Sequence, residues 1–174
     1  LAIYQVALGL KALHDLDIVH RDLKPENFLV FQPTYFVLAD LSVSTKLKSS
    51  DEKLIDTRGS PAFLSPEECS GDSFFPKPTD VWALGVSMYR LVYGKLPFGL
   101  DSEHSVQFAN SVLLVTEKLE KEDLVFDPDV NVPESAKLLL RGMLQKDPEA
   151  RLTIDQVLES PYFKDAKLIT QQLE

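Results

Sequence analysis

Cysteine is almost absent from this sequence, and so is any long apolar run. Cys69 is the single cysteine of 174 residues, so no internal disulfide can form and no cysteine-based metal spacing exists. Charges or proline interrupt every hydrophobic stretch before it reaches the length that a membrane-spanning helix needs. We therefore expect no membrane insertion and a reducing compartment, namely the cytoplasm, with a nuclear location also open.

Positive charge is scarce as well. Lys and Arg number 18 against 27 Asp and Glu, which gives a formal net charge of -9. Nucleic acids and anionic membranes select for clustered Lys and Arg, so neither is expected as the main partner. The acidic excess slightly favours basic partners, although a solvated acidic surface explains it equally well.

The chain also lacks an initiating methionine. It begins at Leu1 directly in a helical pattern, with no cap, leader or signal-peptide architecture. Its length suits one domain with a core of its own. We expect a fragment of a longer protein.

Helical periodicity dominates the sequence that is there. Residues 1–14 carry an apolar face at spacings of three and four, formed by Ile3, Val6, Ala7, Leu10 and Leu13. Thr79 to Tyr93 is apolar nearly all round, which predicts a buried helix that ends at Gly94. Proline and capping signals predict two further helices over residues 136–144 and 153–158, the second stopped by Ser160-Pro161. Residues 102–121 predict one helix and a charged connector.

Strand signals are few and short. Ile18-Val19 is predicted as a buried strand, and two apolar runs over residues 28–31 and 35–38 flank a turn, which predicts a hairpin. Residues 41–63 show no sustained period, and a loop of this length in a compact domain is usually functional. The predicted fold class is mainly α with a small β-hairpin.

Four polar side chains that suit phosphoryl transfer lie close together in the sequence. This chemistry needs an acceptor for a hydroxyl proton, a cation on the transferring group and oxygen ligands for Mg²⁺. Asp22 can accept the proton, and Lys24 can reach the γ-phosphate. Asn27 and Asp40 offer the oxygen ligands that Mg²⁺ prefers. ATP and Mg²⁺ are the predicted cofactors.

The run His20-Arg21-Asp22-Leu23-Lys24-Pro25-Glu26-Asn27 resembles the catalytic loop of eukaryotic protein kinases at every position. Its Lys-Pro-Glu-Asn ending is typical of the serine/threonine type. The resemblance implies a helical C-terminal kinase lobe over residues 1–174, with the catalytic loop at 20–27 and the activation segment at 40–67. It also implies transfer of the γ-phosphate to Ser or Thr of a protein substrate, with Asp22 as the base. The residues that it implies for nucleotide binding are Lys24, Glu26, Asn27, Leu29 and Asp40.

Two further motifs follow in the order of the family. Ala39-Asp40-Leu41-Ser42 stands in place of the magnesium-binding Asp-Phe-Gly, with serine where the family has glycine. A side chain there restricts positive φ, so a spoiled motif remains an alternative. Residues 59–67 resemble the end of the activation segment, where Ser60 would form hydrogen bonds with the catalytic Asp and Lys. Without the family match, a serine that merely occupies a turn before proline explains Ser60 equally well.

The resemblance implies structural roles for five more residues. His20 and Leu41 would join the apolar stack that links the two lobes of a kinase. Asp80, in Asp-Val-Trp-Ala-Leu-Gly, would brace the backbone of the catalytic loop. Glu67 and Arg151 would form a buried ion pair whose disruption costs several kcal/mol.

Regulation is predicted from Arg21, which resembles the arginine that captures a phosphate on the activation loop. Thr57 is the leading candidate for that phosphate, ahead of Ser49 and Ser50. An upstream activating kinase is therefore an expected partner. The sequence of residues 57–67 is most similar to that of the calcium/calmodulin-dependent kinase kinases, so another kinase is an expected substrate.

No glycine-rich loop and no strand lysine of the kinase type precede residue 1 in this sequence. We therefore expect this chain to carry half of a nucleotide site and to have little or no kinase activity alone. A pseudokinase or a truncated lobe that binds protein partners is the alternative function. A small-molecule phosphotransferase is disfavoured by the match of residues 59–63 to a substrate loop.

Overall fold

The computed structural model describes residues 1–102 and 107–173, and these residues are mainly helical. In these ranges the α-helices are α1 (Ala2–Asp15), α2 (Pro66–Cys69), α3 (Pro76–Tyr93), α4 (Phe108–Lys121), α5 (Glu134–Met143), α6 (Ile154–Leu158) and α7 (Lys164–Gln171). The strands are β1 (Ile18–Val19), β2 (Phe28–Gln32), β3 (Tyr35–Leu38) and β4 (Thr45–Lys46). Short 3-10 segments are Pro25–Asn27, Pro61–Phe63, Pro97–Ser102 and Pro161–Phe163. The predicted mainly helical fold with a small hairpin is confirmed.

Helix α3 is the centre of the core, as its sequence predicts. It starts three residues before the predicted first residue, with proline in its first turn, where no backbone N–H is needed. Trp82, Leu84 and Val86 are fully buried. Gly94 ends the helix in the left-handed conformation, with φ 69°, which glycine adopts at little cost. In the described ranges, no helix is both long and apolar enough to cross a membrane.

Helix α1 packs against α3, the hairpin and α6 through the face that its periodicity predicts. Val6, Ala7 and Leu10 are fully buried, whereas Leu13 is only partly buried. Gln5, on the same helix, ties down the hairpin: its amide donates to Thr34 O at 3.2 Å, and Phe36 N donates to its Oε1 at 2.8 Å. The hairpin therefore has a fixed position relative to the helical core.

The strands form two separate antiparallel pairs. β2 and β3 make the predicted hairpin, with a two-residue turn at Pro33-Thr34 and an irregular register between Val30 and Gln32. β1 pairs with β4, a strand inside the segment that was predicted to be a continuous loop. That prediction was wrong at Thr45–Lys46, because two residues are too few to show a period.

The end of the chain differs from the prediction. Ser160-Pro161 ends α6 as predicted, but a 3-10 turn and then α7 follow it. Proline is well suited to start a new helical turn, because its missing N–H would have no partner there. The turn buries Phe163, whose ring lies 5.3 Å from that of Tyr4. The segment 102–121 was predicted to contain one helix and a charged connector. Its helix is α4, and its residues 103–106 lie outside the described residues.

Glu67 of α2 and Arg151 lie 84 residues apart and form a bidentate ion pair. The two N···O distances are 2.6 and 2.9 Å, and the Arg151 side chain is fully buried. The guanidinium also donates to the carbonyls of Pro78 and Gln145 and lies over the Trp82 ring. These bonds compensate for its desolvation and attach α2 to the core.

We predict that Arg151→Met lowers the free energy of unfolding by about 3–5 kcal/mol, because Glu67 would keep an unpaired and partly buried charge. Urea unfolding followed by circular dichroism measures the change. The control is Arg141→Met, which removes the exposed pair with Glu134 and the contact of the guanidinium with the Phe126 ring, and should cost about 1 kcal/mol. Equal losses for the two variants would contradict the prediction.

Candidate active site

The turn between β1 and β2 is fixed by a buried carboxylate from α3. Asp80 is 1% exposed and accepts hydrogen bonds from the backbone N–H groups of His20 and Arg21, at 2.8 and 2.9 Å. Nε2 of His14 lies 2.9 Å from the same carboxylate. Arg21 has a φ of 71°, which a non-glycine residue adopts only where its surroundings hold it. Helix α3 thus determines where the next residue, Asp22, lies.

Two side chains meet at Asp22: that of Lys24, two residues on, and that of Ser60, 38 residues on. Lys24 Nζ lies 2.7 Å from Asp22 Oδ2, and the Ser60 hydroxyl donates to Asp22 Oδ1 at 2.9 Å. Lys24 also donates to the Ser60 oxygen at 2.8 Å, which closes a triangle. The structure therefore brings the predicted base, the predicted phosphate contact and the predicted substrate-loop serine together.

This triangle keeps the Asp22 carboxylate ionised. Partial burial disfavours its charge, but hydrogen bonds from Lys24 and Ser60 and the positive charge of Lys24 outweigh burial. The pKa of Asp22 therefore lies below its ordinary value. At neutral pH the carboxylate is available to accept a proton.

Asn27 and Asp40 present oxygen atoms beside this group. Asn27 Nδ2 donates to the Asp22 carbonyl at 2.8 Å, so its Oδ1 is left as the acceptor. Ala39 N donates to Asn27 O at 3.0 Å, which keeps the residue before Asp40 next to Asn27. Asp40 is exposed, and hydrogen bonds from Ser42 hold the pKa of its carboxyl below the usual value.

These two residues fit a magnesium ion that also binds phosphate. Mg²⁺ commonly takes one or two protein oxygens and completes its shell with water and phosphate oxygens. Among the described residues, no group of three or more His, Cys, Asp and Glu side chains could hold a metal ion by itself. Any metal here would depend on Asn27, Asp40 and the nucleotide.

The positive φ in the Ala39-Asp40-Leu41-Ser42 motif falls on Asp40, at 63°. Aspartate tolerates this region better than most residues. Ser42 is not among the positive-φ residues of the chain as described, so its side chain causes no backbone strain in this conformation. The serine that replaces glycine thus does not distort the motif here.

The residues predicted for the nucleotide site and for the apolar stack differ in how deeply the structure buries their side chains. The His20 ring is fully buried, and its Nε2 donates to Ala39 O at 2.9 Å. Leu29 and Leu41 are 54% and 48% exposed. Glu26 is exposed and pairs with Arg90 at 2.7 Å. Of these four residues, His20 alone is buried in the lobe.

Gly59 allows the activation segment to approach the catalytic loop. Its φ is +94°, and a Cβ added there would lie 2.3 Å from the Arg21 carbonyl oxygen and 3.3 Å from Asp22 Oδ1. Such a separation from a backbone atom is not possible without a shift of the chain. Ser60 reaches Asp22 because the residue before it has no side chain.

Among the described residues, the hydrogen bonds of Arg21 and of Thr57, the predicted regulatory pair, go to different partners. Arg21 pairs with Asp56, Nη2 to Oδ1 at 3.2 Å, and also donates to the Asp56 carbonyl. The Thr57 hydroxyl donates instead to Glu68 O at 2.8 Å. Sequence reasoning missed Asp56, because no sequence pattern indicates which acid of the segment reaches Arg21. Phosphorylation of Thr57 remains a prediction.

Glu68 is a second residue that sequence reasoning missed. It is 5% exposed, and the Ser65 N–H and hydroxyl both donate to its Oε2 at 2.9 Å, in a capping box at the start of α2. Burial, opposed by these bonds, raises the pKa of Glu68 to about 7. The spacing Ser65-Pro66-Glu67-Glu68 fits the capping-box pattern and could have identified it.

The geometry agrees with the comparisons to known proteins. The family model described as protein kinase domain matches residues 1–163. The chain therefore belongs to the protein kinase domain family. Similar curated proteins are serine/threonine-protein kinase 40 of Xenopus tropicalis, of Gallus gallus and of Homo sapiens, which are 38%, 36% and 35% identical over 158 residues.

Each of these alignments covers 90% of this chain and 34% of the relative, so the chain spans about a third of the length of the curated relatives that it matches. The predicted resemblance to calcium/calmodulin-dependent kinase kinases remains a prediction, since these relatives carry a different name.

We predict that Gly59→Ala destabilises the fold more than Gly71→Ala. Both glycines have positive φ, but nothing lies within 4 Å of a Cβ on Gly71. Gly71→Ala should cost about 1–2 kcal/mol of backbone strain. Gly59→Ala should cost about 1–3 kcal/mol more, because the methyl group meets the Arg21 backbone. Urea unfolding measures both values, and indistinguishable midpoints would argue against the close approach.

We predict that the free energy of unfolding decreases as pH rises from about 5 to 7. The folded state holds Glu68 protonated up to about pH 7, whereas its ordinary pKa is 4.5, so the folded state binds the proton more tightly. The stabilisation is complete below the ordinary pKa and is lost through the folded pKa, about 3 kcal/mol in total. Glu68→Gln should flatten this dependence and Glu120→Gln, on the exposed face of α4, should not. An unchanged slope in Glu68→Gln would refute the assignment.

Proposed function

We propose that the protein containing this chain is an ATP-dependent serine/threonine kinase that acts on protein substrates. The observation that carries the proposal is the triangle of Asp22, Lys24 and Ser60, which keeps an ionised carboxylate next to a cation. Membership of the protein kinase domain family supports the same activity.

Asp22 acts as the base in the proposed reaction. The ionised carboxylate takes the proton of a Ser or Thr hydroxyl as the hydroxyl oxygen forms a bond to the γ-phosphorus of ATP. The bond from that phosphorus to the β–γ bridging oxygen breaks, and ADP leaves. Lys24 lies 2.7 Å from the carboxylate and neutralises charge on the transferring phosphoryl group.

Asn27 and Asp40 are the proposed Mg²⁺ ligands, and Mg²⁺ would neutralise the phosphates of the nucleotide. Support comes from the free Oδ1 of Asn27 and from the exposed, ionised carboxylate of Asp40. Glu26 and Leu29 are proposed to face the nucleotide, and the exposure of Leu29 leaves its side chain available for this contact.

Partners and location are proposed on sequence grounds. The proposed substrate is a protein, and the sequence of the activation segment favours another kinase as that substrate. An upstream kinase that modifies Thr57 is a proposed partner, and neither nucleic acid nor membrane insertion is expected. The single cysteine favours a cytoplasmic location, with a nuclear one also open.

We predict that Asp22→Asn in the full-length protein lowers phosphate transfer by about 10²–10⁴-fold, because a carboxamide cannot accept the hydroxyl proton. Transfer of label from γ-labelled ATP to a Ser/Thr peptide library measures the rate. Asp72→Asn, the same change at an exposed turn, is the control and should leave the rate unchanged. No transfer by the unaltered protein, or full activity of Asp22→Asn, would be evidence against a kinase.

A pseudokinase or protein-binding lobe is the second candidate, because the motif after Asp40-Leu41 carries serine where the family has glycine, even though Ser42 causes no backbone strain in this conformation. ATP binding measured by calorimetry, with and without Mg²⁺, separates the two functions. A kinase should lose Mg²⁺-dependent binding in Asp40→Ala and keep it in Asp72→Ala. Absence of nucleotide binding by the unaltered full-length protein would favour the binding function.

A further inference from the structure

We propose that Asp56 is a positioning residue of the catalytic loop, and that its carboxylate binds Arg21 where the sequence predicts a phosphate group. The inference rests on the proposed function for its activity readout and on the structure alone for its conformational readout. Its consequence is that the activation segment is held against Asp22 without phosphorylation.

The first step is the environment of Arg21. Its side chain is 3% exposed, so the guanidinium is desolvated and needs an anionic partner. Nη1 donates to the Thr45 hydroxyl at 2.9 Å, which is a neutral acceptor. The anion that meets the guanidinium is the Asp56 carboxylate, 3.2 Å from Nη2, and the Asp56 carbonyl accepts from the same nitrogen.

The second step is the position of Asp56 between a buried and an exposed cation. Its carboxylate also accepts from Arg58 Nε at 2.6 Å, and its side chain is 46% exposed. The charges of Arg58 and Arg21 and their hydrogen bonds outweigh burial, so the pKa of Asp56 lies below its ordinary value. The group is therefore anionic at neutral pH, as a phosphate would be.

The third step is the orientation of Thr57. Its hydroxyl donates to the Glu68 carbonyl, which lies at the first turn of α2, and not to a group of the catalytic loop. A phosphate on Thr57 would have to give up this hydrogen bond before it could compete for Arg21. The hydroxyl in this arrangement supports the segment as it is.

The fourth step connects the pair to the catalytic group. Arg21 directly precedes Asp22, and its backbone N–H is held by Asp80. Ser60 follows Asp56 by four residues and donates to Asp22 Oδ1. Loss of the Asp56 carboxylate would weaken the attachment of residues 54–60 to the loop and so loosen Ser60 from the base, while the backbone bonds between Leu54 and Phe74 remain. Asp56 thereby acts on the reaction through Arg21 and Ser60.

The test compares variants of the full-length protein that has been treated with a phosphatase. Asp56→Asn removes the charge and keeps the shape, Asp56→Glu restores the charge, and Asp51→Asn makes the same change at an exposed site in the same segment. Thr57→Ala removes the predicted phosphosite. Hydrogen exchange of the amides in residues 54–60 reports the conformation, and kcat and the KM for ATP report the reaction.

We expect amide exchange over residues 54–60 to be roughly tenfold faster in Asp56→Asn, because the buried guanidinium of Arg21 loses its anionic partner. kcat should fall by a similar factor with a smaller change in KM, because the nucleotide contacts remain. Asp56→Glu should recover most of both values. Asp51→Asn should behave as the unaltered phosphatase-treated protein. Thr57→Ala, which loses the hydrogen bond to Glu68 O, should change both values less than Asp56→Asn does.

Equal exchange rates in Asp56→Asn and Asp51→Asn would overturn the proposal, and so would a segment that becomes protected only after Thr57 is phosphorylated. If the unaltered protein transfers no phosphate in either form, the proposed kinase function fails. The exchange experiment still decides whether Asp56 positions the segment, so the two failures can be distinguished.

Discussion

The arrangement of the site depends on one buried carboxylate, that of Asp80 in α3. A charge at 1% exposure is tolerated only when its oxygens are fully hydrogen-bonded, and the donors here are two backbone N–H groups of the catalytic loop and the His14 ring. The backbone N–H groups of the catalytic loop thus satisfy the buried carboxylate of Asp80, and that carboxylate in turn fixes the conformation of the loop backbone. These hydrogen bonds also fix the position of Asp22, the next residue.

A second constraint is that the activation segment is attached through ion pairs at both ends of its functional part. Arg21–Asp56 lies before Gly59, and Glu67–Arg151 lies after Leu64. In each pair the arginine is buried and the acid is more exposed. Burying the guanidinium costs desolvation free energy, which the ion pair and its hydrogen bonds must offset. Between them, Ser60 is brought to Asp22 over a glycine. The ion pairs therefore limit where the segment can lie.

Local sequence patterns predicted most of the helices. Helices α1 and α3 and the hairpin show periodicities long enough to read, and Gly94 has the left-handed backbone that its position predicts. Strand β4 was missed because a two-residue strand exists only through its pairing with β1. Helix α7 was missed because Pro161 reads equally well as a stop and as a start, and burial of Phe163 decides between them.

The residue types of the site were evident from the sequence, because phosphoryl transfer needs a base, a cation and oxygen ligands, and Asp22, Lys24, Asn27 and Asp40 supply them at family spacing. Partners that lie far apart in the chain were decided by the tertiary structure. The sequence offered several acids near Thr57, but only folding determined that Asp56 reaches Arg21 while Thr57 turns to Glu68. The physical reason is that a buried guanidinium takes whichever anion the backbone path of the segment brings within reach, and that path is set by packing at Gly59 and α2.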